Sequence, residues 1–209
     1  MVDATQSLST LLAHQAVTNA DTAAGLSVVG TEVDVRSALS ASVFVYHALI
    51  EAAANDPGAE YHLQVRGSVT AADDDDWVTA WVFKTRVDSA LSTAINATEP
   101  IGETAIAVAT DRSATAGFQE GQEIYLQDAT LADSEWARVR HISATVITIS
   151  GPLVNEKTSS GFVWSYAETF VGSVDLTGVS YMRMLFQNTD ITGADVHIKA
   201  DALILTAIE

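Results

Sequence analysis

The chain contains no cysteine among its 209 residues, and this absence excludes disulfide bonds, thiolate nucleophiles and cysteine-ligated metals. Proline is nearly as scarce, because only Pro57, Pro100 and Pro152 occur, and each falls at a turn or boundary instead of interrupting a strand. Stability therefore has to come from packing and assembly.

Positively charged residues are also scarce. Ten lysines and arginines oppose 27 acidic residues, for a formal net charge of -17, so nucleic acid is not expected as a partner, since a polyanion would be repelled. No apolar run approaches the roughly 18 residues needed to cross a bilayer. The N-terminus also lacks a basic region followed by a hydrophobic stretch, and we expect a soluble protein with no membrane partner.

Recognisable catalytic equipment is missing as well. The chain has no Gly-x-Ser-x-Gly turn, no phosphate-binding glycine loop and no His-Glu-x-x-His pair. Its five histidines never stand three or four residues apart, so no paired imidazole ligands are supplied. We predict that the chain is not an enzyme and holds neither a cofactor nor a metal. An enzyme whose acids converge only in three dimensions is the alternative.

Two acidic groups need separate interpretations. Asp73 to Asp76 offer oxygens for a hard cation, but they lack the Asp-x-Asp-x-Asp-Gly spacing of a calcium loop, so a solvated loop is favoured and a weak calcium or sodium site stays open. Asp128, Asp133 and Glu135 resemble a general acid and base set. They fall in a turn and at a strand start, which favours solvated carboxylates.

Two-residue alternation is what the chain does contain. Met182, Met184 and Phe186 fall on one face of a segment and Arg183 falls on the other, which is typical of a half-buried strand. The last segment alternates up to Asp201 and then shifts phase, which predicts a bulge there. Residues 1–30, rich in Ala, Thr, Ser, Asn and Asp, are interpreted as an extended arm or irregular lead-in.

Three short alternating segments occur between residues 118 and 153 and predict a small β-barrel. They read Gly121-Gln122-Glu123-Ile124-Tyr125-Leu126, then Ser134-Glu135-Trp136, then Val146-Ile147-Thr148-Ile149 before Gly151-Pro152-Leu153. This stretch resembles a module of tailed-phage virion proteins, in which a glycine turn and an apolar strand precede a Ser-Glu-Trp strand and a segment ending in Pro-Leu.

The flanking segments resemble the jelly rolls of phage head proteins, and Tyr61 to Ser68 and Asp73 to Trp77 carry that likeness. The fold expected is all-β, an antiparallel jelly-roll-like β-sandwich with an inserted small β-barrel domain. The predicted boundaries are 1–30 for an N-terminal arm, 31–99 and 162–209 for a discontinuous sandwich, and 100–161 for the inserted barrel.

Trp77 and Trp81 are the candidate ligand-facing aromatics. They share parity along one predicted strand and are therefore expected on the same side of it. The segment from Trp77 to Phe83 is apolar enough to favour burial inside a sandwich. If the pair were exposed instead, it would form a platform for stacking sugars.

The resemblance implies a virion structural protein of a tailed bacteriophage. The expected role is capsid decoration: a cement protein on the exterior of the head shell, bound to the major capsid protein. Self-association, with a homotrimer as the implied form, belongs to the same expectation. The rival is a carbohydrate-binding or receptor-binding β-sandwich module of a phage tail.

Overall fold

The computed structural model describes residues 4–17, 27–50, 55–56, 59–67, 76–85, 88–112, 117–188 and 195–207. Throughout these residues the paired strands are antiparallel, and a 3-10 turn occurs at Leu131–Asp133. The predicted all-β class is confirmed. The described segments include no helix with the length and apolarity to span a bilayer.

The strands are numbered along the chain, and their bounds are β1 (Ala4–Val17), β2 (Ser27–Val29), β3 (Val33–Asp34), β4 (Ala38–Leu49), β5 (Asn55–Asp56), β6 (Ala59–Arg66), β7 (Val78–Lys84), β8 (Asp88–Ser89), β9 (Ser92–Ala94), β10 (Ala105–Ala107), β11 (Glu123–Gln127), β12 (Glu135–Ser143), β13 (Val146–Ile149), β14 (Phe162–Trp164), β15 (Ala167–Asp175), β16 (Tyr181–Asn188) and β17 (Val196–Ala207).

Two stacked sheets form a jelly roll. The first sheet has the strand order β1-β17-β4-β15 and the second has the order β2-β16-β6-β7, with β3 also paired to β16. With β2 and β3 counted as one interrupted strand, the two sheets contain eight strands, which follow one another in the chain as β1, β2/β3, β4, β6, β7, β15, β16 and β17. Each of these strands lies in the sheet opposite to that of the strand before it, except β7, which lies in the same sheet as β6. This is the eight-stranded jelly-roll arrangement, so the predicted sandwich is confirmed.

The jelly-roll core follows from strict alternation in its central strands. Met182, Met184 and Phe186 of β16 are fully buried and pack with Val43 and Val45 of β4 in one apolar cluster. A fully buried side chain of this size contributes about 1.5–3 kcal/mol. Because every second residue points inward, a one-residue slip of either strand would expose this whole set.

The barrel is built from six strands in the order β10-β13-β12-β11-β14-β9. The sheet curls until its two edge strands meet: the backbone N–H of Asn96 donates to the carbonyl of Ala107 at 2.8 Å, and the N–H of Ala109 donates to Ala94 at 2.9 Å. Its interior holds a second apolar cluster that includes Ile106, Ile124, Ile147 and Val163. The barrel lies in the connection between β7 and β15.

Two details depart from the sequence interpretation. Residues 4–17 form β1 and pair with β17, which corrects the expected irregular lead-in; polar Ser, Thr and Gln side chains line the exposed face of this edge strand, so apolar alternation is weak. The bulge predicted near Asp201 is found on one side of β17 only, and its extra residues belong to β1. Asp201 keeps regular register with Phe44 of β4, whereas the pairing with β1 shifts opposite Asp201, between Thr10 and Leu12, and again between Leu12 and Gln15.

The six-stranded sheet also takes in β9 and β14, which lie outside the predicted 100–161 insert. The domain boundaries at 1–30, 31–99, 100–161 and 162–209 stay a prediction. The same holds for the division of residues 1–30 from the sandwich as a separate N-terminal arm.

A buried lysine links the start of β12 to the segment between β13 and β14. The side chain of Lys157 is fully buried, and its Nζ donates to Glu135 Oε1 at 2.5 Å, to the carbonyl of Asp133 at 2.5 Å and to the carbonyl of Asn155 at 3.0 Å. Three acceptors match the three protons of an ammonium group. Removal of either partner would leave the other charge buried without compensation.

We expect Lys157→Met to lower the free energy of unfolding by about 3–5 kcal/mol, because it leaves the Glu135 carboxylate and two backbone carbonyls without their hydrogen-bond donor. Urea unfolding monitored by circular dichroism measures the loss. Lys84→Met is the matched control: Lys84 pairs with Glu60 at 2.5 Å but is exposed, and such a pair contributes less than about 1 kcal/mol. Equal losses for the two variants would contradict this role of Lys157.

Candidate functional site: two open sheet edges

One side of the jelly roll ends in β7 and β15, here called the tryptophan edge. Among the described residues, β7 pairs only with β6 and β15 pairs only with β4. The two strands lie against each other across the sandwich, since the rings of Phe83 and Phe170 are 6.0 Å apart. Both strands therefore present an open row of backbone donors and acceptors on the same side of the molecule.

Trp81 covers the gap between the two sheets at this edge. Its ring stacks on Phe83 at 5.7 Å with an angle of 26°, and both rings approach Gly172 of β15. A Cβ at position 172 would lie 2.9 Å from Phe83 Cζ and 3.5 Å from Trp81 Cε3. Glycine is thus required there for the aromatic rings to fill the space between the strands.

The tryptophan edge is apolar, exposed and free of acidic side chains at its centre. Val78, Trp81 and Val171 have 65%, 45% and 62% of their surface exposed. Strand β7 contains no Asp or Glu, and neither do residues 169–174 of β15. In a chain with a net charge of -17, this stretch is where another surface can approach without meeting negative charge.

The opposite side ends in β1 and β2, here called the amino-terminal edge. Gly30 joins the two sheets there: its N–H donates to Met184 at 2.7 Å, and the N–H of Thr31 donates to Leu11 at 2.8 Å. A Cβ on Gly30 would lie only 1.9 Å from the Leu11 carbonyl oxygen. This edge also exposes apolar residues, Leu8 at 69% and Val29 at 52%, and β1 carries no acidic residue.

The expected common face of Trp77 and Trp81 is corrected. Leu63 pairs with Trp81 but Gln64 pairs with Thr79, so Ala80 is an extra residue in β7, and this bulge reverses the parity of the strand. Trp81 lies on the core side of the sheet and Trp77 on the outer side.

The surroundings of the two tryptophans also differ from the sequence prediction. The guanidinium carbons of Arg183 and Arg66 lie 4.2 Å and 4.9 Å from the Trp77 ring centroid, so cations already contact that ring. The expected burial of the whole segment is corrected too, because only Phe83 in β7 is buried. Whether either tryptophan contacts a ligand stays a prediction.

Two of the three acids that resembled a catalytic set, Asp128 and Glu135, have carboxylates that are engaged by neighbouring groups of the barrel. Asp128 Oδ2 accepts hydrogen bonds from the backbone N–H and the hydroxyl of Thr158 at 2.6 Å and 2.9 Å. Burial tends to raise the pKa of Asp128, but these hydrogen bonds outweigh it and lower the pKa. Glu135 is occupied by Lys157. Asp133 contributes its backbone carbonyl as an acceptor for Lys157.

In the parts of the chain that are described, no three histidine or acidic side chains converge as metal ligands. Asp73 to Asp75 lie outside the described residues.

Comparison with known proteins adds little. No protein-family model matches the chain, and no curated protein sequence matches it. Among solved structures, VP17, a capsid protein of bacteriophage P23-77, aligns over 98% of both chains with 11% sequence identity and a TM-score of 0.18. A TM-score this low does not establish a shared fold, so the argument for function has to come from the chain itself.

We expect Gly172→Ala to destabilise the protein by about 1–3 kcal/mol, because the added methyl group overpacks the space that Phe83 and Trp81 occupy. Gly151→Ala is the control: it carries the same change in backbone entropy, but its Cβ would have no atom within 4 Å, so its effect should stay within about 0.5 kcal/mol. Urea titration of both variants measures the difference. Similar stabilities would show that the edge is loosely packed.

Proposed function

We propose that this chain is a virion structural protein of a tailed bacteriophage or a similar virus, and that it decorates and stabilises the head shell from outside. The observation that carries the proposal is the pair of open sheet edges with exposed apolar residues, where β1, β2, β7 and the middle of β15 contain no acidic residue, on a protein that is otherwise strongly acidic. The jelly roll supports it more weakly, because viral capsid domains and lectins share this fold.

The distribution of charge limits the surfaces through which copies of this chain can meet. Many copies with a net charge of -17 would repel one another unless they meet through uncharged surfaces. Open sheet edges of soluble proteins are normally protected by charged residues or proline. The middle of β7 and nearly all of β1 lack both, which favours edges that are covered in the assembled state.

The positions of the two edges determine how copies of the chain can assemble. The tryptophan edge and the amino-terminal edge lie on opposite sides of the sandwich, so a contact between one edge and the other edge of the next copy is heterologous. Such contacts close into a ring when the rotation permits it, and the homotrimer implied by the sequence resemblance is one such ring. Many weak contacts of the ring with the major capsid protein would add through avidity.

No bond is made or broken in this role. The barrel presents its own exposed residues, among them Ile101 and Val154, and is available as the surface that meets the shell. The protein would act mechanically, by burying area on the shell and on its neighbours and so opposing outward pressure.

The localisation is tested by electron microscopy of particles of the virus that encodes this chain, labelled with gold-conjugated antibodies raised against it. We expect gold on the outside of intact heads. Labelling that is confined to host cytoplasm, or to tails only, would contradict the proposal; the tail pattern would favour receptor binding instead. Antibodies preadsorbed with the purified chain provide the control for specificity.

The role of the edges is tested by sedimentation velocity over a range of protein concentrations. We expect the native chain to self-associate and Val78→Glu and Val171→Glu to weaken that association by at least about tenfold, since each buries a charge at the contact. Ile101→Glu is the matched control, because Ile101 is exposed to 68% but lies on the barrel. A native chain that stays monomeric, or equal effects of all three variants, would contradict the assignment of the edges.

Glycan binding is the second candidate, and the exposed part of Trp81 is the observation that favours it. A glycan array with the native chain and with Trp81→Ala separates the two functions. Sugar binding that disappears on substitution would support the carbohydrate-binding alternative. The corresponding change at Trp77 should have no effect on sugar binding, because that ring faces the other side.

A further inference from the structure

The barrel rests on the outer face of the first sheet through four rings, here called the junction cluster: His14 of β1, Tyr125 of β11, Trp136 of β12 and His197 of β17. His197 points away from the jelly-roll core, since Val196 and Ile198 on either side of it face inward, and yet it is buried. Tyr125 lies 5.0 Å from His197, and Trp136 lies 4.7 Å from Tyr125, between ring centroids. The barrel therefore covers a histidine that would otherwise face water.

One hydroxyl joins two histidines in this cluster. Tyr125 Oη lies 2.9 Å from His14 Nε2 and 2.5 Å from His197 Nδ1. A hydroxyl has a single proton to donate, so it donates to one imidazole and accepts from the N–H of the other. The arrangement therefore requires at least one neutral imidazole, since only a neutral ring can accept the hydroxyl proton. If both carried a proton, both would donate to the oxygen and the hydroxyl proton would lose its acceptor.

The surroundings oppose protonation of either ring. Burial and, to a smaller extent, the positive charge of Lys199 together lower the pKa of His14 to about 4. Burial likewise lowers the pKa of His197 to about 4, with a smaller contribution from His14. The two imidazole centroids are only 5.8 Å apart, so two cations there would repel each other strongly.

Other charged and titratable groups around the cluster are already engaged. Lys199 pairs with Asp201 of the same strand at 2.7 Å, and Glu135 of the barrel pairs with Lys157. Burial raises the pKa values of Tyr46 and Tyr125, so both stay neutral phenols. Glu123 of β11 and the Ser134 hydroxyl also act on these tyrosines, and the 3-10 turn that packs against β1 carries Asp133. In the described part of the chain, no carboxylate pairs with His14 or His197.

The junction cluster borders a cavity, and the barrel is joined to the sandwich by two neighbouring chain crossings. A cavity of about 480 Å³ is lined by His14, Tyr46, Trp136 and Lys199 among others, and it gives protons a path to the cluster. The two chain crossings between barrel and sandwich lie side by side, because Ser165 N–H donates to the Leu91 carbonyl and Leu91 N–H donates to Ser165 Oγ, both at 2.8 Å. The barrel is therefore tethered at one narrow place.

We propose that the junction cluster is an acid-sensitive attachment, which holds the barrel against the sandwich while His14 and His197 are neutral and releases it when they gain protons. Trp136 supports the attached state, since its Nε1–H donates to the carbonyl of His47 in β4 at 3.0 Å. The released barrel would pivot about Leu91 and Ser165. The inference is independent of the decoration role.

The direction of the pH effect follows from the two states. When the barrel is released, the histidines are hydrated and their pKa returns to about 6.5. The released state then binds protons at higher pH than the attached state does, so attachment weakens as the pH falls from about 6.5 towards about 4 and is not weakened further below that. At pH 4 the attachment constant falls on the order of 100-fold for each histidine.

Small-angle X-ray scattering and far-ultraviolet circular dichroism of the full chain, titrated from about pH 7 to about pH 4, test the proposal. We expect the radius of gyration to increase in this interval while the strand signal is retained. The double variant His14→Gln, His197→Gln keeps neutral hydrogen-bonding side chains and should stay compact throughout. His141→Gln is the control, since His141 lies on β12, exposed and paired with Glu120, and it should open as the native chain does.

Nuclear magnetic resonance titration of the imidazoles in the native protein supplies a test that needs no variant. The imidazoles of His14 and His197 should have pKa values well below the ordinary range, because both are buried. Ordinary titration of both His14 and His197 would overturn the proposal. So would opening of the double variant at the same pH as the native chain, or loss of the strand signal together with the expansion.

Discussion

The sheet formed by β1, β17, β4 and β15 has to bury both of its faces at one end, and the remaining structure is arranged around that requirement. Its inner face packs against β16 and β6 through alternating apolar residues. Its outer face, at Tyr46, Ala48 and His197, lies under the barrel. A two-layer sandwich normally exposes that second face to water, so the polar groups on it need partners from elsewhere. Tyr125 and Trp136 supply them, which ties the barrel to the jelly roll chemically as well as through the chain.

The position of the barrel in the chain explains how both edges remain open. It is inserted where the chain leaves β7, the last strand of one sheet, and begins β15, the last strand of the other. An insertion at such a crossing leaves the register of every jelly-roll strand unchanged. It also places the barrel over a face of the sandwich, where β11 packs against β15, so among the described residues β7 and β15 keep no strand partner on their outer sides. On the far side, β1 and β2 are the end strands of their sheets among the described residues.

Local pattern in the sequence was sufficient for some of this structure and insufficient for the rest. Met182, Met184 and Phe186 alternate strictly and their burial could be predicted, as could the strands of the barrel from their turns and apolar runs. The strand β1 was missed because an edge strand of Ser, Thr and Gln has no apolar period. The parity of Trp77 and Trp81 was predicted wrongly because a bulge at Ala80 leaves no local signal. His14, Tyr125 and His197 lie 111 and 72 residues apart in the hydrogen bonds that join them, and only the fold brings them together.

The buried ammonium group of the barrel has a practical consequence for labelling chemistry. The chain has three lysines, and the side chains of Lys84 and Lys199 are exposed to 68% and 35%, whereas Lys157 is fully enclosed. An acylating reagent will therefore modify two lysines in the native protein and spare the third. Mass-spectrometric detection of a modified Lys157 becomes a reporter for opening of the barrel itself, and it is insensitive to movements that leave the six-stranded sheet intact.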